Sequence, residues 1–222
     1  MSIIIHNPKS RIDARKLGVS GTGNARAALS ARQSWIESMV ALLGGLDIVF
    51  NGGTHDWSGT YTVPDGVTLQ AADDTTLRAT TATGRMIWPA PNATAQIEGE
   101  FIIDMNELVS TYALDGFEAT RKLLIDGVTI IDAGDGNSGI RTACDDAIIR
   151  NVRGDGTGNL VTVAGGTGIE HVVSGGETLS GIAHRYAVSI EDILEPDGER
   201  LDTDLIRPGQ TLLIRPPASG TG

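Results

Sequence analysis

Cysteine and basic residues are scarce in this chain. The single cysteine, Cys144, excludes an internal disulfide and a zinc site built from several cysteines. Acidic residues outnumber basic ones by 28 to 17, which gives a formal net charge of −11. The chain therefore lacks the basic face that nucleic acids and anionic membranes attract, and we predict neither as a partner.

Sequence signals for membrane insertion and export are also missing. No stretch reaches the roughly 18 apolar residues that a membrane-spanning helix needs. Residues 1–8 are too short for a secretory signal and have no basic start. We therefore expect the protein to leave its cell by a route other than secretion, such as lysis.

Metal-binding and cofactor-binding patterns are absent as well. The histidines are His6, His55, His171 and His184, and no two have the spacing of a metal site on one helix. The Gly-Thr-Gly of residues 21–23 is not followed by Gly-Lys-Ser or Gly-Lys-Thr, so it predicts a turn and not a phosphate loop. We predict no metal and no cofactor.

The last fifty residues carry the clearest pattern, which begins with a strand and a helix. Residues 171–173 form a short β run, and Gly175-Gly176 predicts a turn after it. Thr178 is a suitable N-cap for a helix whose apolar face holds Leu179, Ile182 and Ala183, with Tyr186 extending it.

A second helix and a closing strand are predicted next. Ser189 and Asp192 have the spacing of a capping box, and Ile190, Ile193 and Leu194 would form a buried stripe. Pro208-Gly209 predicts a turn into a strand over residues 211–214. The predicted apolar core of this unit is Val172, Leu179, Ile182, Ile193, Leu205 and Leu212.

In order and in residues, this segment resembles the LysM family, whose modules bind glycans that contain N-acetylglucosamine, such as peptidoglycan or chitin. The resemblance implies a small βααβ domain over residues 169–217, followed by a flexible tail at 218–222. It places a glycan groove between two loops: Gly175, Gly176, Glu177, Thr178 and Leu179 on one side, and Asp204, Leu205 and Ile206 on the other. The alternative is a LysM fold that serves only as a structural joint.

The first 168 residues predict one helix followed by many short strands. Asn24 is a candidate N-cap, and Gly44-Gly45 a candidate end, for a helix with apolar residues at regular intervals: Leu29, Ile36, Val40 and Leu43. From Asp47 onward, short apolar runs are separated by Gly, Asp, Asn and Thr.

Some of these runs repeat. Residues 123–128 can be overlaid on residues 147–152 at a spacing of 24, and residues 95–100 fit the same frame 28 residues earlier. A recurring period of this kind favours a solenoid, in which each coil stacks on the previous one, over a β-sandwich. The overlay also places Arg150 above Asp126, as a stacked ion pair.

The opening of the chain, with residues 12–31, 47–54 and 61–69, resembles the pectate-lyase-like right-handed parallel β-helix superfamily. The resemblance implies a mainly β domain over residues 1–168, a short parallel β-helix closed at its N-terminal end by a capping helix. Lyases, glycosidases, esterases and many phage tail proteins share this fold, so the fold alone does not define a function.

Carboxylates are the only plausible catalytic groups, because equivalent positions on adjacent coils lie about 4.8 Å apart and could pair two acids. The candidates are Asp104, Asp126, Asp132, Asp135, Asp145 and Asp146, whereas the Asp73-Asp74 pair is predicted to lie in a turn. The best-matched repeats, however, place an arginine and not an acid opposite Asp126. We therefore predict no catalytic residues.

These observations together predict a structural and adhesion protein of a phage virion, as a minor tail, baseplate or surface-fibre component assembled in the host cytoplasm. Its expected partners are other virion proteins and peptidoglycan or another N-acetylglucosamine glycan. A homotrimer is expected, because the open edge of the last coil must be covered. The alternative is an enzyme, a β-helical polysaccharide depolymerase that the LysM-like module brings to its substrate. A bacterial cell-wall protein fits less well.

Overall fold

The fold is described from a computed structural model of the chain. The described residues are 10–20, 23–82, 84–108, 111–116, 122–133, 139–144, 146–156, 160–163, 169–186, 188–201 and 205–215.

Three α-helices and two 3₁₀ turns are present in these ranges: the helices are α1 (Ala25–Ala31), α2 (Gln33–Leu43) and α3 (Leu179–Tyr186), and the turns are Ala14–Leu17 and Ile190–Asp192. The strands are β1 (Ser10–Asp13), β2 (Leu46–Trp57), β3 (Tyr61–Val63), β4 (Val67–Ala79), β5 (Arg85–Pro89), β6 (Thr94–Glu98), β7 (Phe101–Asp104), β8 (Tyr112–Gly116), β9 (Lys122–Asp126), β10 (Thr129–Ala133), β11 (Ile140–Thr142), β12 (Ala147–Arg150), β13 (Arg153–Gly156), β14 (Val161–Val163), β15 (Ile169–Val172), β16 (Ile193–Leu194) and β17 (Thr211–Ile214).

Strands β1 to β15 form the three faces of a parallel solenoid. Face one contains β1, the first half of β2, the first half of β4, and then β6, β9, β12 and β15. Face two contains the second halves of β2 and β4, followed by β7, β10 and β13. Face three contains β3, β5, β8, β11 and β14. All these pairs are parallel, so the predicted solenoid is confirmed and the β-sandwich alternative is wrong.

The sequence repeat matches the residue pairing of the strands on face one. Ala95 pairs with Leu123, and Leu123 pairs with Ala147, as the overlay of the three segments predicts. The next inward position stacks aliphatic side chains on adjacent coils, and all are at most 1 % exposed: Ile48, Leu69, Ile97, Ile125 and Ile149. Burial of each such side chain contributes about 1.5–3 kcal/mol. Stacking of the coils thus builds the core that no coil could form alone.

The corner between faces one and two is formed by residues with positive φ. Gly99, Gly127 and Asn151 follow the paired ends of β6, β9 and β12, and all three have positive φ. A Cβ at Gly99 would lie 2.3 Å from the carbonyl oxygen of Ala71, and one at Gly127 would lie 2.8 Å from that of Gly99. The coils therefore approach too closely at this corner for a side chain on either glycine.

The N-terminal end of the solenoid is capped by two helices where the sequence predicted one. Asn24 is the N-cap of α1, and its Oδ1 accepts a hydrogen bond from the Ala27 N–H at 3.2 Å. The helix is interrupted at Arg32, which has φ −109° and ends α1 before α2 begins. Leu29 and Ile36 are fully buried and Val40 is partly buried, whereas Leu43 is 40 % exposed, so the predicted apolar face packs on the first coil except at its last residue.

The C-terminal unit continues face one. β15 pairs in parallel with β12 and in antiparallel fashion with β17, and β16 pairs with the other edge of β17. α3 lies beside this sheet with its predicted apolar face buried: Leu179, Ile182, Ala183 and Tyr186. The last coil of face one is therefore covered within the chain.

The second predicted helix of this unit is only the 3₁₀ turn Ile190–Asp192. Its capping box is present, with the Ser189 N–H donating to Asp192 Oδ2 at 3.1 Å. Ile193 and Leu194 then pair with β17, so they are buried as a strand and not as a helical stripe. Ile190 is 43 % exposed.

Some predicted features lie outside the described residues. The domain boundary at 168/169 falls beside residues 164–168, and the tail at 218–222 is also outside, so both stay predictions. Within the described ranges, none of the helices has the length and apolar character needed to cross a bilayer.

Candidate functional site

The turn after β15 forms one wall of the predicted groove. Gly175 and Gly176 are exposed, and a Cβ on either would meet nothing within 4 Å. Gly176 has φ +85°, which favours glycine, and the Glu177 N–H donates to the Ser174 carbonyl across the turn. The backbone of this wall is therefore open to a ligand.

Thr178 and Leu179 begin α3 and differ in exposure. The Thr178 Oγ1 accepts a hydrogen bond from the Gly181 N–H at 3.1 Å, so Thr178 is the predicted N-cap and remains exposed. Leu179 is only 7 % exposed, because it lies on the buried face of α3. The structure thus places the Thr178 side chain at the surface and the Leu179 side chain in the core.

The Glu177 carboxylate turns inward. It accepts hydrogen bonds from the Ser174 N–H at 2.7 Å and from His171 Nε2 at 3.0 Å, and it forms an ion pair with Arg185. Burial raises the pKa of Glu177, but the Ser174 N–H and the nearby His171 and Arg185 outweigh it and leave the pKa below its ordinary value. Glu177 therefore fixes the turn to the rest of the domain.

His171 connects this carboxylate to α3. It is 3 % exposed, and its Nδ1 lies 2.9 Å from the Tyr186 hydroxyl. Burial lowers the pKa of His171, although Glu177 opposes the shift, so the neutral ring is favoured. A carboxylate only accepts, so a neutral His171 donates from Nε2 to Glu177 and accepts at Nδ1 from Tyr186.

The sequence reasoning missed this network. It treated residues 171–173 as an apolar strand and Glu177 as a groove residue. The alternation of β15 buries Ile169 and His171 and exposes Val172. A histidine at an inward strand position, with a glutamate in the following turn, was the available signal.

The opposite wall is the segment before β17. Leu205 is 79 % exposed, and Ile206 is half-buried against the core. Asp204, the third residue predicted for this wall, lies outside the described residues.

Hydrogen bonds hold the two walls near each other. The Val173 N–H donates to the Gln210 carbonyl at 2.9 Å, and the Gly209 N–H donates to the Val173 carbonyl at 2.8 Å. The turn before β17 is therefore bound to the residue that precedes the glycine turn.

A cavity of about 280 Å³ lies beside this groove, at the junction of the solenoid and the C-terminal unit. Residues 150–153 of the last coil line one side. Residues of the glycine turn, together with Arg185 and Tyr186 at the end of α3, line the other. We call this cavity the junction cleft.

Three described aspartates that stack between coils face arginines, although the register also sets Glu98 against Asp126 on adjacent coils. Arg150 Nε lies 2.9 Å from Asp126 Oδ2, which confirms the predicted pair. Face two has Arg78 and Asp104 at 3.0 Å, in register on adjacent coils. These oxygens are engaged by guanidinium groups and do not form an acid dyad.

Face three has a more deeply buried version of the same arrangement. Asp115 has a side chain only 1 % exposed, and it lies 2.6 Å from Arg141 and 3.5 Å from Arg85. Asp115 therefore links three successive coils.

The remaining catalytic candidates do not form a pair in the described structure. Asp146 lies 3.0 Å from Lys122 Nζ, and Asp132 has φ +51° at the end of β10. Asp135 and Asp145 lie outside the described residues. Within the ranges given above, no group of three or more His, Cys, Asp or Glu residues is placed to hold a metal ion.

Comparison with known proteins supports the two parts separately. The family model for the LysM domain matches residues 171–215. No curated protein sequence matches the chain. Among solved structures, the chain is similar to a candidate glycosyl hydrolase from Parabacteroides merdae, with 14 % identity, a TM-score of 0.60, and coverage of 73 % of this chain and 86 % of that one. At this identity the likeness shows the fold alone. The chain is thus a parallel β-solenoid whose residues 171–215 are a LysM domain.

Proposed function

We propose that this protein is an adhesion protein that binds peptidoglycan, or another N-acetylglucosamine glycan, through its LysM domain. The observation that carries the proposal is the open glycine turn of that domain, which the hydrogen bonds of Val173 hold to Gly209 and Gln210, in the segment that begins with the exposed Leu205. Backbone N–H and C=O groups at Gly175 and Gly176 can pair with acetamide groups. Leu205 can pack against the apolar face of a sugar ring.

In this proposal the solenoid is a rigid support for the LysM domain. β15 is hydrogen-bonded to β12, so the LysM domain is attached to the last coil by a β-ladder and not by a linker alone. A support of this kind fixes the direction in which the groove faces.

The finer assignment is to a phage virion, where the chain would be a minor tail, baseplate or surface-fibre component in contact with other virion proteins. The combination of a stacked β stalk with a wall-binding domain supports it. The homotrimer is part of the same proposal, although β15 already covers the edge on face one that first suggested it. Light scattering at micromolar concentration should give a trimer mass, and a stable monomer would contradict it.

A second candidate function is polysaccharide cleavage, favoured by the solenoid's likeness to the candidate glycosyl hydrolase. The arginine partners of Asp104, Asp115 and Asp126 argue against it, because paired carboxylates are poorly placed to act together on a glycosidic bond.

Binding should be tested with a matched pair of exposed leucines. Leu205→Ser changes the proposed groove, whereas Leu42→Ser changes an equally exposed leucine (76 %) on the N-terminal cap. Calorimetric titration with chitotetraose should show roughly five- to tenfold weaker binding for Leu205→Ser, from the loss of about 1–1.5 kcal/mol of apolar contact. The Leu42→Ser variant should bind like the wild type. Absence of wild-type binding to both chitotetraose and isolated cell walls would contradict the proposal.

A further inference from the structure

The junction cleft has a charge unlike that of the whole chain. The protein has a formal net charge of −11, yet the cleft is lined by Arg150, Arg153 and Arg185, with Glu177 as the one described acid in its lining. Arginines therefore outnumber acidic residues in the lining of the cleft, where the solenoid and the LysM domain meet.

Two of these arginines are held in place by carboxylates. Arg150 donates from Nε to Asp126, and Arg185 pairs with Glu177. Each guanidinium has several N–H donors, so one ion pair leaves others for a ligand. Asn151 also donates to Asp126, at 2.7 Å, which leaves that carboxylate engaged on both oxygens.

Arg153 is the arginine of the cleft that has no carboxylate paired with it among the described residues. Its backbone N–H donates to the Val128 carbonyl, but its exposed side chain makes no hydrogen bond or ion pair with a residue that the structure describes. It lies at the start of β13, in the wall of the cleft and also of a neighbouring cavity along the same corner of the solenoid, which Asp74 and Glu100 line on their side. A cation in this position can pair with an anion that enters from solvent.

The cleft is also continuous with the glycan groove, because Gly175 belongs to both. A sugar chain held along the glycine turn would therefore extend toward the arginines. The wall of the cleft that the LysM domain forms is held in place by hydrogen bonds that link His171 to Glu177 and to Tyr186.

The geometry points to a second binding site in the junction cleft, which takes an anionic substituent of the glycan that the LysM groove holds. This inference rests on the proposed glycan binding. A carboxylate and a phosphate have the oxygen geometry that guanidinium groups bind, and both share this chemistry. Arg153 would be the principal residue for the anion, with Arg150 and Arg185 at its sides.

The test uses the full chain and two pairs of probes, each with one anionic and one neutral member. The first pair is a tetrasaccharide of alternating N-acetylglucosamine and N-acetylmuramic acid, with free carboxylates or with the carboxylates converted to amides. The second pair is chitotetraose with and without a single 6-phosphate. Arg153→Gln removes the one arginine of the cleft that is not paired with a described carboxylate, and Arg32→Gln removes an exposed arginine from the N-terminal cap as a control.

Calorimetric titration should show the charged member of at least one pair binding the wild type roughly three- to tenfold more tightly than its neutral partner. Arg153→Gln should abolish that preference, and Arg32→Gln should keep it. High salt should weaken it, because the site is open to solvent. The pair that shows the preference identifies the anion as a carboxylate or a phosphate.

Equal binding of charged and neutral probes would overturn the second site while leaving the proposed glycan binding intact. A preference that survives Arg153→Gln would also overturn it, since the anion would then bind elsewhere. Failure of every probe to bind would refute the glycan-binding function itself.

Discussion

Arg150 lies directly above Asp126 on the next coil of the solenoid, with Nε 2.9 Å from Oδ2. The two residues are 24 positions apart in the chain. Their contact shows that the repeat aligns charges as well as apolar side chains, because the same register stacks Ile125 beneath Ile149.

The buried and exposed stacked aspartates should differ in their effect on stability. Asp115→Asn removes the charge between Arg85 and Arg141 in a nearly buried position, so we expect a loss of about 2–4 kcal/mol. Asp126→Asn acts on a pair exposed to solvent and should cost about 0–1 kcal/mol. Urea unfolding of both variants measures the difference, and equal losses would contradict this account of Asp115.

Substitution of the corner glycine should be costly. Gly99→Ala places a Cβ against the Ala71 carbonyl and keeps φ at +91°, so we expect a loss of about 3 kcal/mol or more. Gly84→Ala is the matched control, since its φ is +76° but nothing lies within 4 Å. The control should lose only about 1–2 kcal/mol. Thermal unfolding in parallel compares the two, and a control that loses as much would show that φ alone matters.

Acid should destabilise the LysM domain through His171. The pKa of His171 is lower in the folded protein than its ordinary value of 6.5, so the unfolded chain binds more protons as the pH falls below 6.5. Stability should therefore be constant above that pH and decline below it, until the pH reaches the folded pKa. The lowered pKa of Glu177 adds a further loss at still lower pH.

Urea midpoints from about pH 8 to about pH 5 should show this decline in the wild type. The slope should disappear in His171→Gln and remain in His184→Gln, because His184 is exposed on α3. An unchanged slope in His171→Gln would assign the proton to another group.

Polysaccharide cleavage is expected to be absent. Wall and capsule glycans incubated with the protein should release neither reducing ends nor unsaturated products, because Asp104, Asp115, Asp126 and Asp146 are each paired with a cationic side chain. Turnover that vanishes in Asp132→Asn or Asp145→Asn would instead establish the depolymerase.

The LysM domain is expected to fold by itself. A fragment of residues 169–217 keeps α3, β15, β16 and β17, and with them an apolar core that includes Ile182, Ile193 and Leu212. Circular dichroism should show a cooperative thermal transition for the fragment. A spectrum typical of a disordered chain would show that the contact of β15 with β12 is required.

The solenoid could be read from the sequence because its coils repeat, and a repeated Leu or Ile at one inward position sets the register. The LysM core was predicted less fully. Leu179, Ile182, Ile193 and Leu212 are buried as expected, but Val172 and Leu205 are exposed.

The wrong predictions concern side-chain orientation and strand pairing, which the local sequence pattern does not determine. The alternation of β15 turns His171 inward, where Glu177 and Tyr186 satisfy its ring nitrogens, so a polar residue takes the place expected for Val172. The prediction of a second helix was wrong for a similar reason, because the pairing of Ile193 and Leu194 with β17 outweighs their helical spacing. The junction cleft could not be predicted, since it depends on how the last coil meets the LysM domain.

The ladder between β12 and β15 has a mechanical consequence. Force on a glycan held in the LysM groove would reach the solenoid through Ile169 and Glu170, which pair with Ala147 and Ile148. A pull along the strands acts across these hydrogen bonds and loads them in shear, so they must break together and not one after another. β15 is held on its other side by β17, so the tension is shared between two ladders before it enters the coils.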